Sequence, residues 1–491
     1  MKAKFFTTIT MLILVTMALT ACGNDDNNGD SNADNVNASV NIPTPGIDTE
    51  APNANESAAD SAFEWVVQPE FDWIEQFSGG LAAVRVGDWE TGLWGFIDAT
   101  GEVVIPLQYN STWSFAEGFA AVGVHNPADE GYMFLWGFID ADGNEVIPTV
   151  HPNIRHFNDG VAALHDGEVW NFINANNPTQ VDFTIQSYMV RDFHEGLMAI
   201  MVGDWDNPQW GFVNTAGNVV VTPQYIDVGH FSEGLASVVA RVPGEEFSFL
   251  VGFVDNTGTE VISPRFNQAR DFSEGLAAVL IGDWETGAWG YSDMTGEQVI
   301  LPRFNMAEPF VDGLAAVMVG DWDNPQWGFI DRTGEYVIPL QFDWTWGFTE
   351  GIAAVRFGDW ETGLWGFIDT TGREVVPPRY SEVGPFMNGF ATVATGNRAG
   401  LDSSQISNGL LWGMIDTTGA EIIPAQYITV RNFSDGLAAV AVGSWENSLW
   451  GFVDTTGREV IPPQFEWVMD FVDGKAIVTY GGQWGVIRLR D

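Results

Sequence analysis

From Phe63 onward, short apolar stretches alternate with glycine-centred breaks, and the alternation recurs along the chain. Residues 348–380, FTEGIAAVRFGDWETGLWGFIDTTGREVVPPRY, show one period. Ile352 to Phe357 follows Gly351 and is predicted to be a short strand. Trp365 to Asp369 opens with large residues two apart, Trp365 and Phe367, as a half-buried strand does. Asp369-Thr370-Thr371-Gly372 then supplies a hairpin loop, with aspartate first and glycine where the backbone must turn left-handed. A third strand, Arg373 to Val376, is predicted to end at Pro377, which has no N–H to donate. No stretch keeps a helical period, so the unit reads as three antiparallel strands.

Two anchors count the units. Trp-Gly occurs at Trp94, Trp136, Trp210, Trp289, Trp327, Trp365, Trp412, Trp450 and Trp484, and decayed copies stand at Trp170-Asn171 and Val251-Gly252. Phe-x-x-Gly precedes each copy, at Phe77, Phe115, Phe157, Phe193, Phe231, Phe272, Phe310, Phe348, Phe386, Phe433 and Phe471. Both anchors give eleven units, with 38 residues as the commonest step. Irregular steps place insertions at 125–135 and 395–411.

The recurring Trp-Gly, two apolar residues, Asp, then x-x-Gly and x-x-Val-Ile-Pro resembles the WG repeat family of bacterial proteins over residues 63–491. The resemblance implies a β-rich interaction module and no particular activity. A propeller blade has four strands in about 40–45 residues, and closed rings usually hold about 4–8 blades. Eleven three-stranded units therefore favour an all-β open solenoid or superhelix, each unit burying its face against its neighbours. Closure into a propeller-like ring is the alternative.

The N-terminus lacks this pattern. Lys2 and Lys4 precede an apolar run, Phe5 to Leu19, and Leu19-Thr20-Ala21-Cys22 resembles the lipobox of bacterial lipoproteins. Residues 1–21 are thus expected to be a signal peptide and Cys22 the lipidated residue of an exported protein held at the membrane. Cys22 is the only cysteine, so no internal disulfide forms. Residues 22–62 are rich in Asn, Asp, Ser, Ala and Pro, bury too little to offset their ordering entropy, and read as a tether.

Charge narrows the partners. With 66 acidic and 19 basic residues the net charge is −47, which disfavours nucleic acid and anionic lipid. Gly-x-Ser-x-Gly and a phosphate-binding loop are absent from the sequence, and Asp98, Asp140, Asp255, Asp331, Asp369, Asp416 and Asp454 read as turn residues rather than a catalytic set. The histidines (His125, His151, His156, His165, His194, His230) lack the close spacing of a zinc site. A monomeric non-enzyme without a cofactor is expected.

The candidate binding residues lie between the first two strands of a unit. Six copies read Gly-Asp-Trp or Gly-Ser-Trp, four residues, then Trp-Gly, pairing Trp89/Trp94, Trp205/Trp210, Trp284/Trp289, Trp322/Trp327, Trp360/Trp365 and Trp445/Trp450. The spacing predicts each pair directly across the two strands, where it would stabilise the hairpin. If the first ring stays exposed, it offers a stacking surface for the C–H face of a sugar. Asp88, Asp204, Asp283, Asp321 and Asp359 stand beside the ring in five copies. A row of such loops would suit a polysaccharide or, alternatively, an envelope protein. The oxygen-rich loops 204–207 and 321–324 raise calcium as a weaker option, since they match no recognised calcium loop.

Overall fold

The computed structural model describes residues 62–128, 132–244, 248–283, 286–359, 361–396 and 409–490. The signal segment, Cys22 and nearly all of the tether lie outside them, as do Trp284 and Trp360. The described residues form forty-four strands in eleven sheets of four, each an antiparallel meander. One unit shows how the pattern maps onto a sheet. Trp344–Thr349 pairs with Ile352–Phe357, which pairs with Leu364–Asp369, which pairs with Glu374–Tyr380.

Two expectations are corrected here. Each unit has a fourth strand, running before Phe-x-x-Gly and often only two residues long, as at Met306–Ala307. The last strand also continues past its proline. Val376 pairs with Phe367 and Tyr380 with Trp365, so four residues face two and the ladder bulges at Pro377 and Pro378. A bulge on an edge strand tolerates residues without an N–H.

That bulge explains the Trp-Gly pair. A Cβ on Gly366 would lie 2.6 Å from the Val376 carbonyl oxygen and 2.8 Å from the Pro378 nitrogen. The bulged strand folds back over the third strand, and only glycine leaves it room. Gly95, Gly211 and Gly451 meet the equivalent backbone at 2.5, 2.3 and 2.4 Å.

The open array is overturned by what happens at the ends. The last unit contributes only three strands, through Gln483–Leu489, and Phe63–Phe71 supplies its fourth. Glu64 pairs with Arg488 and Val67 with Val486 in antiparallel register. Eleven buried clusters follow, one at every boundary between successive sheets. The eleventh joins Ile477, Trp484 and Val486 of the last sheet to Ile74, Ala82 and Val84 of the first. An open row of eleven would have ten such joints. The protein is a closed β-propeller of eleven blades, here numbered from residues 73–109 as blade one to 467–489 with 63–71 as blade eleven.

The two sequence anchors are the two halves of each joint. The Phe of Phe-x-x-Gly packs on the second residue after Trp of the preceding blade. Phe115 meets Phe96 at 5.0 Å, Phe348 meets Phe329 at 4.7 Å and Phe471 meets Phe452 at 4.8 Å. The residue before that glycine makes a second latch. Glu350 adopts φ +53°, a conformation costing an ordinary residue roughly 1–2 kcal/mol. From there its carboxylate accepts the N–H groups of Asn388 and Gly389 in the next blade at 2.7 and 2.8 Å. Glu233 does the same for Glu274 and Gly275. Such charge-assisted bonds offset the local strain.

An antiparallel meander sorts its connections. The turns after the first and third strands lie at one end of every blade. The loops after the second strand, and the crossings to the next blade, lie at the other. The Gly-Asp/Ser-Trp loops among the described residues therefore belong to one face of the ring.

Candidate binding face

The loops leave the ladder before the first tryptophan. In blade one the last pair is Val86–Leu93, so residues 87–92 form the loop and Trp89 stands outside the strands. The partner across from Trp94 is Arg85, and likewise Arg356 faces Trp365 and Met201 faces Trp210. The expected direct cross-strand pairing of tryptophans is thus replaced. Trp89 instead lies over the Arg85 guanidinium, 3.7 Å from it, with Trp94 5.5 Å away beyond. Burial lowers the Arg85 pKa, opposed by Asp72 and Asp88. A desolvated cation between aromatic faces is a strong form of this contact. Arg85 was not singled out in the sequence, although its place two residues before Gly87 recurs as Arg356 before Gly358.

Blade ten differs. Its ladder runs on to Ser444–Asn447, so Trp445 and Glu446 form the turn itself. Across the four described copies the first ring is open to solvent: Trp89 is 68% exposed, Trp205 62%, Trp322 50% and Trp445 47%. Their partners Trp94, Trp210, Trp327 and Trp450 are buried. The first tryptophan contributes little to the core and presents much of its ring to solvent.

The neighbouring aspartates shape the loops. Asp88 Oδ1 accepts the N–H groups of Glu90 and Thr91 and the Thr91 hydroxyl. Asp359 does the same with Glu361 and Thr362, and Asp283 takes the N–H and hydroxyl of Thr286. In the Asp-Asn versions, Asp204 accepts from Asp206 and Asn207, and Asp321 from Asp323 and Asn324. The Thr91 backbone N–H, joined by its hydroxyl, holds the Asp88 carboxyl below the usual range, as Thr362 does for Asp359. One oxygen of each carboxylate is committed to the loop. Among the described residues no group of three or more His, Cys, Asp or Glu side chains could hold a metal ion.

The aspartates of the third strand are turn residues, as their spacing indicated. Asp369 Oδ1 accepts from Thr371 N and Oγ1 and from Arg373 N. The Thr371 hydroxyl and then Arg373 pull its pKa down to about 2, and Asp454 is lowered to about 2 chiefly by the Thr456 hydroxyl. Unfolded aspartate titrates near ~3.9. A carboxyl depressed in the folded state contributes stability above its unfolded pKa and loses it as pH falls through the folded one. The melting temperature should therefore be flat from about pH 7 to 5 and fall steeply between about pH 4 and 2. A melting temperature unchanged at pH 2.5 would contradict this.

Further aromatic residues that sequence reasoning passed over lie on the same face, at the start of the short first strand. Trp344 sits 6.2 Å from Trp322 and 5.4 Å from Trp327 of the preceding blade. Trp467 packs 5.2 Å from Trp450. Tyr188 meets Trp205 within its own blade at 6.2 Å. Of the histidines, His125 and His165 end second strands at this face, and His165 packs 4.9 Å from Trp170. His194 and His230, 5.5 Å apart, line a cavity of ≈ 360 Å³ with Arg155 and Arg191 beside the first strands of blades three to five.

A family model described as "WG containing repeat" matches ten segments, residues 58–88, 94–126, 136–170, 210–239, 252–283, 289–321, 327–359, 365–398, 412–444 and 450–484. No curated protein sequence matches the chain. Among solved structures, a eukaryotic initiation factor is 13% identical, with 69% of this chain and 94% of that one covered and a TM-score of 0.38. Dipeptidyl peptidase 4 of Porphyromonas gingivalis is 9% identical, over 76% of this chain and 65% of that one, at 0.32. The β-propeller domain of the Trilobed protease from Pyrococcus furiosus is 10% identical, over 62% and 98%, at 0.27. At these values none of the three bears on what this chain does.

Proposed function

The chain belongs to the WG-containing repeat family, and from that scaffold we propose an exported, lipid-anchored, non-enzymatic binding protein for a carbohydrate or other cell-envelope polymer. The observation that carries the reading is the exposure of Trp89, Trp205, Trp322 and Trp445 on loops of one face. Flat exposed rings suit the C–H faces of sugars, and the loop carboxylates of Asp88, Asp204 and Asp321 can accept sugar hydroxyls through their second oxygens. Several weak sites on one rigid ring gain from effective concentration when the ligand repeats.

The binding role is favoured over catalysis by how the carboxylates are used. They recur from blade to blade and hold turns, whereas acid–base catalysis needs a pair in distinct environments. Nucleic acid is disfavoured by the net charge of −47. Anchoring would run through Cys22, with residues 23–62 as the spacer and the ring acting as a monomer. Among the described residues no helix is long and apolar enough to cross a membrane.

The test is retention of the full chain on insoluble polysaccharides and purified cell wall. Replacing Trp89, Trp205, Trp322 and Trp445 by Ala should abolish retention and leave the circular dichroism spectrum and melting temperature within a few degrees. Retention unchanged in that variant, or none by the parent on any polymer, would overturn the glycan reading. A discrete protein captured by crosslinking in place of polymer would point to the envelope-protein scaffold. For the anchor, radiolabelled palmitate should enter the parent and not Cys22→Ser; equal labelling of both would sink that part.

A further inference from the structure

Two successive seams at the ring's closure carry exposed tryptophans, Trp445 and Trp467 at one and Trp89 at the other. We propose that the primary subsite is a track across blades ten, eleven and one, taking neutral or amine-bearing glycans and rejecting acidic ones. This rests on the glycan reading above and goes beyond it by fixing the place and the ligand's charge.

The track begins in a groove of ≈ 510 Å³ between blades ten and eleven, flanked by Trp445 and Trp467. That volume suits a small ligand such as one or two sugar rings, within the roughly 300–1,000 Å³ of ligand pockets generally. Trp467 is 44% exposed, yet it is held in place. Trp450 meets it edge-on at 5.2 Å and the Arg431 guanidinium lies 4.8 Å from its ring. A ring already fixed loses little freedom on binding.

A second aromatic cluster stands at the next seam, between the chain ends, built on the buried Trp484. Trp73 of blade one lies 4.9 Å from Trp484 of blade eleven and 5.4 Å from Trp89. Trp89 is the most exposed of the described loop tryptophans. The Trp73–Trp484 contact joins residues some four hundred positions apart, so this part of the track exists only in the closed ring.

Charge decides the ligand class. The charged side chains lining the groove are Glu446 and Glu466, with Asn447 and Ser448 beside them. Glu466 also accepts the Gly482 N–H at 2.8 Å, which fixes its position. Carboxylates accept hydrogen bonds from hydroxyls and attract ammonium groups, but they repel uronates and phosphates. The net charge of −47 adds to that repulsion.

The experiment measures retardation of the full chain in gels containing a neutral glucan, an amino glycan or a polyuronate, at low and moderate salt. The parent should bind the neutral or amino glycan and ignore the polyuronate. Trp445→Ala and Trp467→Ala should each weaken binding about tenfold or more, as loss of an anchoring tryptophan does. Trp205→Ala, on blade four, should change it by less than about twofold. Glu446→Lys, at an exposed turn where folding is insensitive, should admit the polyuronate. The proposal is overturned if Trp205→Ala is as damaging as Trp467→Ala, if the parent prefers the polyuronate, or if Glu446→Lys leaves selectivity unchanged. Binding kept by Trp467→Ala but lost when all four loop tryptophans are replaced would sink the track alone. Binding to no glycan would sink the general reading as well.

Discussion

Deleting residues 63–71 from the full chain should open the ring and lower its melting temperature by about 10 °C or more. The segment is one strand among forty-four, but it completes the last sheet and buries Phe63, Val67 and Phe71. Each such side chain contributes roughly 1.5–3 kcal/mol, so the three together account for about 5–9 kcal/mol as an upper estimate. In a domain of this size each kcal/mol shifts melting by roughly 2 °C. The loss also bares the edge of Gln483–Leu489, and an unpaired edge invites pairing with another chain. Calorimetry should show the lowered transition, and size exclusion should show dimers or larger species. In an open array the same deletion would only trim an end. An unchanged transition with a monomeric profile would contradict closure by this strand.

A single methyl group should do comparable harm in the right place. Gly451→Ala puts a Cβ 2.4 Å from the Ile461 carbonyl oxygen and 2.6 Å from the Pro463 nitrogen. Both are backbone atoms, so the outer strand of blade ten must shift as a whole. Overpacking of this kind costs about 1–3 kcal/mol and sometimes more, and here it meets no flexible side chain that could yield. We expect about 3 kcal/mol by denaturant unfolding. Gly436→Ala is the control. Gly436 has φ +77° and nothing within 4 Å of its Cβ position, so only backbone strain of about 1–2 kcal/mol applies. Equal costs at the two sites would mean that conformation, not the returning outer strand, fixes the glycine of the Trp-Gly pair.

Much of the fold was legible because both anchors repeat. The count of eleven and the all-β class followed from Trp-Gly and Phe-x-x-Gly, which turn out to meet across each joint. The fourth strand was missed because two residues such as Met306–Ala307 carry no periodicity. Closure stood only as the alternative to an open array, because it depends on a pairing between Glu64 and Arg488, beyond the reach of any local pattern. One signal could have pointed to it. Phe63–Phe71 contains Val-Val-Gln-Pro-Glu-Phe, which reads like the outer strand Val-Ile-Pro-Leu-Gln-Tyr at 104–109, yet no Trp-Gly precedes it.

The candidate site was legible in part. The Gly-Asp-Trp loops were found from their repetition, and in the structure their aspartates hold the loop backbone. The register was not, because Gly87, Gly92 and the Asp88 carboxylate close a six-residue loop and lift Trp89 clear of the strands. Counting residues between two tryptophans says nothing of where the ladder stops. Trp73, Trp344 and Trp467 were passed over because they stand outside both anchors, Trp73 and Trp467 on strands of only two residues.

Closure of eleven blades by the N-terminal strand underlies the rest, and an engineered crosslink tests it most directly. Glu64 and Arg488 are antiparallel partners whose side chains form an ion pair. Partners in such a ladder have Cα atoms about 4.5–5.5 Å apart, within the reach of a disulfide. In a background with Cys22→Ser, the double variant Glu64→Cys/Arg488→Cys should oxidise to an intramolecular disulfide in the monomer. It would migrate faster than its reduced form on denaturing gels and give a peptide linking the two chain ends. Free thiols after oxidation, or disulfides only between molecules, would show that the ends do not meet and that the ring is open.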